Sequence, residues 1–216
     1  DGDKSISIRS FLIGAISQNI SSTKNVLESE DVFSTINCLK KLGVKIKKIK
    51  RKSYLIYGKG LGSLNIKNNS TLNFGNSGTL ARLLIGILST TPKISVKLKG
   101  DRSLNKRNMK KLIDLMSSFG AYFLPKKNFY FPLKMISSEM PIGINYNAGV
   151  SAQLKSAVIL AGLNSCMLVA QREHHGPRAL APAARRGRLH GTSPGTTNTH
   201  ATPFIWRQEG GRRRRR

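Results

Sequence analysis

Four short stretches carry side chains suited to holding phosphate or carboxylate. The first is Gly2-Asp3-Lys4-Ser5-Ile6-Ser7-Ile8-Arg9, at the start of a predicted helix. A helix N-terminus offers free backbone N–H groups and the positive end of the dipole, and both attract anions. Ser5 can donate a hydroxyl hydrogen bond, Lys4 supplies a point charge and Arg9 a bidentate fork. The second is Gly75-Asn76-Ser77-Gly78-Thr79, followed by Arg82; its glycines permit a tight turn and close approach to a ligand. The third is Gly100-Asp101-Arg102-Ser103-Leu104-Asn105-Lys106-Arg107. Lys106 and Arg107 are expected at the start of the next helix, where they oppose its dipole unless an anion lies between them. The fourth is Ser151-Ala152-Gln153, able to hydrogen-bond a sugar-like ring without adding charge.

Each stretch has a plainer reading: a solvated helix start, an ordinary glycine turn, a basic surface patch. Gly-Asp-Lys-Ser is not the phosphate loop of nucleotide hydrolases, which needs a Gly four residues before its Gly-Lys pair. The specificity lies in the set.

The elements that must position these stretches form a repeat. Gly2, Gly75 and Gly149 each open a small, polar segment, then a basic residue, then an apolar helical run. This register pairs Arg9 with Arg82. A second pair of matching segments runs from Val32 to Gly43 and from Met109 to Gly120. Ser29 is the expected N-cap of the first, Glu30 and Asp31 suit its positive end, and Gly43 suits the residue after the helix. Strands are expected at 44–49 with 54–57, and at 122–124 with 129–133. The unit reads helix, strand, helix, two strands, and copies of it should pack on a shared core. Two units are nearly complete within residues 1–165, and a third begins near Gly149.

The net charge of +27, from 37 basic and 10 acidic side chains, suggests an anionic partner. The charge is of two kinds, however. All 21 lysines precede residue 166, while residues 166–216 hold 11 arginines and no lysine. Lys, Ile and Asn have AT-rich codons; Arg, Ala, Gly and Pro have GC-rich ones. The break falls inside an apolar run, Ala157 to Leu163, where no domain boundary is expected. We read 166–216 as an unrelated tail from a frameshift or chimera, with a disordered basic tail as the alternative. The chain opens without Met on a glycine motif and is expected to be a fragment cut at the front. An incomplete third unit is also expected to leave the apolar run at Ala157–Leu163 without a partner. Cys38 and Cys166 make no disulfide framework; Cys38 reads as a small core residue in a reducing, cytoplasmic setting. His174, His175, His190 and His200 lack the accompanying ligands of a metal site, so no metal is expected.

In this order and spacing, GDKSIS-R at 2–9, GNSGT-AR at 75–82, GD-SL-KR at 100–107 and SAQ-KSA at 151–157 resemble 3-phosphoshikimate 1-carboxyvinyltransferase, or EPSP synthase. Glu28-Ser29-Glu30-Asp31-Val32 also fits. The resemblance implies an α/β fold of repeated βαβαββ-type units, two such domains forming an inside-out barrel in the full enzyme and one incomplete domain here. It implies enolpyruvyl transfer from phosphoenolpyruvate to the 5-hydroxyl of shikimate 3-phosphate, by addition and elimination, without metal or cofactor. By motif position, Lys4 would act in catalysis and touch both substrates. Ser5, Arg9, Ser151, Ala152 and Gln153 would hold shikimate 3-phosphate. Asn76, Gly78, Arg107 and Gln153 would serve phosphoenolpyruvate. A monomer that binds neither membrane nor specific nucleic acid is implied.

Ile8 stands where the family usually has His or Asn, and Asn108 where it usually has Pro. Gly78 is the small residue typical of glyphosate-sensitive members. The family's general base, a catalytic Glu and further Arg and Lys residues come from the second half of such enzymes; residues 166–216 match none of them, so this chain alone is expected to lack transferase activity. The sister family acting on UDP-N-acetylglucosamine typically has Lys-Asn in the first motif and a Cys in the loop after the second. Here Ser5 follows Lys4, and 100–107 holds no Cys. A basic nucleic-acid-binding protein is the rival from another class, and its support rests on net charge and the run Arg212 to Arg216.

Overall fold

The computed structural model describes residues 2–146 and 151–173, with side chains to residue 165 in the last stretch. Gly149, Val150, the four histidines and the arginine run lie outside the described residues, as does the side chain of Cys166.

Each of the three apolar runs after the anion-type openings is a helix: α1 (Lys4–Ile16), α3 (Gly78–Ser89) and α6 (Ala152–Glu173). Between them lie α2 (Glu30–Lys41), the short α4 (Arg102–Asn105) and α5 (Lys110–Ser118). The seven strands are β1 (Ile20–Thr23), β2 (Lys45–Lys50), β3 (Ser53–Tyr57), β4 (Thr71–Asn73), β5 (Ser95–Lys99), β6 (Tyr122–Leu124) and β7 (Leu133–Ile136). One antiparallel sheet has the order β1-β3-β2; the other has the order β4-β5-β7-β6, with β4 parallel to β5.

The repeat is therefore physical. β1-β3-β2 and β5-β7-β6 are the same arrangement, and β4-α3-β5-α5-β6-β7 is a βαβαββ unit. The helix ends repeat too. Gly43 and Gly120 take φ of +82° and +96°, a conformation that favours residues without Cβ. In α2, Gly43 N–H bonds Lys40 C=O and Val44 N–H bonds Leu39 C=O; after α5, Gly120 bonds Ser117 and Ala121 bonds Met116 in the same way. Both are Schellman closures.

The helix starts repeat at a fixed interval. Asp3, Ser77 and Ser151 each accept a hydrogen bond from the N–H three residues on, at Ile6, Leu80 and Leu154. These caps shift the expected register. Asp3 directly follows Gly2, but Asn76 stands between Gly75 and Ser77 in a turn where Gly75 has φ +56°. Lys4 and Gly78 are thus equivalent first helical residues, and Arg9 and Arg82 are not equivalent. Ser29 does occupy the N-cap position of α2, but its hydroxyl is buried and makes no cap bond. Glu30 and Asp31 complement that helix end instead.

Two further expectations fail for clear reasons. The return strand of the second hairpin is β7 at 133–136, not 129–133. Pro132 has no N–H for a ladder, and the Phe129 carbonyl is taken by Met109 N–H. The run Ala157–Leu163 is not left bare. Ala157, Val158, Leu160 and Ala161 are buried, and only Ile159 and Leu163 are largely exposed.

The partner of that run is α3. This helix is apolar on every face but the one that carries Thr79 and Arg82, and such a helix belongs inside. Leu80, Leu83, Leu84, Ile85, Ile87 and Leu88 are all buried in the core. The crossing with α6 is close, since a Cβ on Gly86 would lie 2.6 Å from the Ala157 carbonyl oxygen. Buried Asn164 ties the C-terminal part of α3 to α6, donating to Ile87 C=O (3.2 Å) and the Thr90 and Thr91 hydroxyls (each 3.1 Å). Its side-chain oxygen accepts from Gly62 N–H at 2.8 Å. Cys38 is in the core as expected, and burial pushes its thiol up to about 12. Among the described residues no helix is long and apolar enough to cross a membrane.

Candidate functional site

The starts of α1, α3 and α6 meet at one cleft. Its volume is about 270 Å³, and Lys4, Asp31, Asn76, Gly78, Thr79, Arg82, Arg107 and Gln153 line it. Lys4 is the first residue of α1, Gly78 and Thr79 open α3, and Gln153 is the second residue of α6. Three helix starts, with the positive ends of their dipoles, therefore meet at the same space.

The side chains add charge to this field. Arg107 donates to Asn76 Oδ1 at 2.8 Å and to Ser103 Oγ at 3.4 Å. Arg82 donates to its own helix at Gly78 C=O, 3.0 Å away. Gly78 lies between the two guanidinium groups: a Cβ there would sit 2.8 Å from Arg82 and 3.1 Å from Arg107. Burial, then repulsion from Arg107, lowers the Arg82 pKa. Lys4 pairs with Asp31, the one carboxylate among the lining residues, at 3.3 Å. Gln153 donates to Thr79 Oγ1 at 3.0 Å, which fixes its amide across the α3–α6 junction. Three cations against one acid make a cleft for an anion, and its volume suits a small one.

Lys4, Asn76, Gly78, Arg107 and Gln153 are brought together on this wall. Ser5, Arg9, Ser151 and Ala152 do not line it. Ser5 is on the first turn of α1, and its carbonyl accepts from Arg9. Arg9 also reaches Ser156 Oγ at 3.2 Å, joining α1 to α6. Ser151 caps α6, with Ala152 exposed beside it. Ile8 is fully buried, so the departure at this position is a core side chain outside the cleft lining. Asn108 takes the place of a cap for α5, accepting from Lys110 N–H at 2.7 Å.

The position of Lys106 and Arg107 differs from expectation. The short helix α4 intervenes, capped by Asp101, so Lys106 is its C-cap and Arg107 follows it. At that end the dipole favours cations. Arg107 thus needs no anion to be tolerated, and its aim comes from Asn76 and Ser103. Asp31, Thr79 and Arg82 complete the wall. Asp31 was legible as a helix-start acid and as part of the stretch 28–32 that fits the family, but nothing in sequence links it to Lys4, 27 residues earlier.

The EPSP synthase family model, described as 3-phosphoshikimate 1-carboxyvinyltransferase, matches residues 1–174. The chain belongs to the EPSP synthase family. Curated relatives carrying that name include the Paramagnetospirillum magneticum protein, 39% identical over 165 residues, covering 76% of this chain and 36% of the relative. The Bacillus subtilis protein is 39% identical over 178 residues, covering 82% of this chain and 41% of the relative. Among solved structures, EPSP synthase from Acinetobacter baumannii aligns with TM-score 0.69 and 35% identity, covering 75% of this chain and 36% of that one. The chain thus spans well under half the length of the relatives it matches. The family's α/β architecture accords with the units described above.

Proposed function

We propose that this chain supplies part of the site for enolpyruvyl transfer from phosphoenolpyruvate to the 5-hydroxyl of shikimate 3-phosphate. The observation that carries the reading is the convergence of three helix starts and three cations on one small cleft. Both substrates are polyanions, and such a cleft holds charge without paying for reorganisation at the moment of reaction. In the proposed reaction the 5-hydroxyl adds across the enol double bond, its oxygen bonding to C2 as it gives up a proton and C3 gaining one; phosphate then leaves from C2 as C3 loses a proton, which restores the double bond.

Lys4, as an ammonium at a helix start, is assigned to both substrates and to charge developing between them. Arg107, Gly78 and Asn76 are assigned to phosphoenolpyruvate, and Gln153 bridges to both substrates. Ser5, Arg9, Ser151 and Ala152 are assigned to shikimate 3-phosphate on the adjoining surface of α1 and α6. The lone carboxylate of the cleft is engaged by Lys4, so the lining residues offer no unpaired carboxylate as a general base. We therefore assign this chain a binding role and no turnover by itself. A cytoplasmic, monomeric enzyme is part of the same proposal.

Calorimetry on the full chain tests the reading. Shikimate 3-phosphate is expected to bind more tightly than inorganic phosphate and than UDP-N-acetylglucosamine. Lys4→Ala is expected to weaken it about 10- to 100-fold, the weight of one or more charged hydrogen bonds. Preference for the nucleotide sugar, or indifference to Lys4→Ala, would overturn the assignment.

A further inference from the structure

The three cations of the cleft are held in two ways. Both arginines rest on neutral acceptors, Arg107 on Asn76 and Ser103, Arg82 on the Gly78 carbonyl. Their planar forks are preorganised, so little more is needed to aim them. Lys4 is different: it is a point charge on a flexible four-carbon stem with three donors and no preferred direction. It pairs with Asp31, at 3.3 Å.

We infer that Asp31 is a positioning residue, which holds the Lys4 ammonium at the cleft wall with its remaining donors free for an incoming anion. The inference rests on the cleft being an anion site, as proposed above. Two observations carry it. The first is depth: the Asp31 side chain is 19% exposed and that of Lys4 51%, so the carboxylate lies behind the ammonium. The second is rigidity. Asp31 is in the first turn of α2, where the dipole favours its charge. That helix is anchored through buried Val32, Ile36 and Leu39, and the Thr35 hydroxyl bonds the Asp31 carbonyl at 2.8 Å. A fixed acid thus restrains a mobile base. The remaining charged groups of the cleft, Arg82 and Arg107, are cations and offer Lys4 no alternative anchor.

The sign of one measurement separates positioning from simple charge. Deleting a carboxylate near an anion site should tighten anion binding, because a repulsion is lost. Deleting a positioning residue should loosen it. Inorganic phosphate is titrated into the full chain by calorimetry at low ionic strength. Asp31→Ala is expected to weaken phosphate about three- to fivefold, the scale of a partly exposed ion pair. Asp31→Ser, which keeps a hydroxyl suited to a helix start, is expected to do the same if the alanine variant folds poorly. In a Lys4→Met background the Asp31 substitution is expected to cause no further loss. Tighter or unchanged phosphate binding in the Asp31 variants, an equal loss without Lys4, or no phosphate binding by the unaltered chain would each overturn the inference. Because phosphate lacks the organic part of either substrate, loss of shikimate 3-phosphate preference with the Asp31 effect intact would sink the functional reading alone.

Discussion

The first repeat unit, residues 2–57, and the second, residues 71–136, share a strand order and a helix-closing motif but differ in what they give to the cleft. The first supplies Lys4 and Asp31, a charged pair. The second supplies Asn76, Gly78, Thr79, Arg82 and Arg107. The shared parts are scaffold, because each is demanded by backbone closure and core packing. The unshared parts are where the site lies. Asn76, the extra residue in the turn before α3, meets Arg107, and Arg107 follows α4, a helix with no counterpart between β1 and α2. Equivalent first helical residues also diverge: a lysine on α1, a glycine on α3 and an alanine on α6.

The sheets diverge similarly. β2 is an edge strand with lysines at 45, 47, 48 and 50. Lysines on an edge discourage pairing with another chain, so the charge run has a structural reason without a nucleic-acid partner. One of these lysines, Lys48, forms part of a cluster with Glu28 (2.7 Å) and Tyr54, whose hydroxyl donates to Glu28 at 2.7 Å.

If the units share a scaffold, equivalent core truncations should cost alike. Leu39 and Met116 are fully buried and occupy the same place before the closing glycines. Leu39→Ala and Met116→Ala are each expected to lose about 2–5 kcal/mol in denaturant unfolding. A large gap between them would break the equivalence. Next in size is a change at the site alone. Gly78→Ala places a methyl against both guanidinium groups. It is expected to weaken phosphoenolpyruvate binding about tenfold, or about 1.4 kcal/mol, with little change in melting temperature. Unchanged affinity would mean that the two arginines swing aside freely.

The smallest effect belongs to the first unit. The hydrogen bond from Lys48, then that from Tyr54, holds the Glu28 carboxyl down to about 2, against an ordinary 4.5. A depressed folded-state pKa stabilises the fold above the unfolded value, and the contribution is lost as pH falls from about 4.5 towards 2. Glu28→Gln should flatten that part of the stability–pH curve, read by melting temperature at stepped pH. An unaltered acid limb would show that solvent already screens the cluster.

Much of the fold was legible because backbone chemistry is local. Gly43 and Gly120 announce helix ends by needing positive φ, and the apolar spacing of α2 and α5 marks a buried face. The helical nature of the runs after Gly2, Gly75 and Gly149 was equally plain. Less legible was anything decided by a partner distant in sequence. The β7 boundary moved because the Phe129 carbonyl belongs to Met109. The pairing of Arg9 with Arg82 slipped by one residue because a turn, not an alignment, sets each cap.

The composition break at Cys166 stays a proposal. Helix α6 runs through it to Glu173, and the match to the family ends at residue 174. The nucleotide sequence across codons 160–175, in all three frames, decides whether an older reading frame continues there.

By itself the sequence determined the repeat, the helix starts with their caps and glycines, and the family. These depend on residue type at short spacing, where sterics and backbone hydrogen bonding act. Tertiary structure decided which of those starts face one another. Asp31 beside Lys4, Asn76 beside Arg107 and Thr79 beside Gln153 are contacts between separate elements. Such contacts follow from how α1 packs on α2 and α3, and α3 on α6, and packing of that kind is settled by the whole core at once.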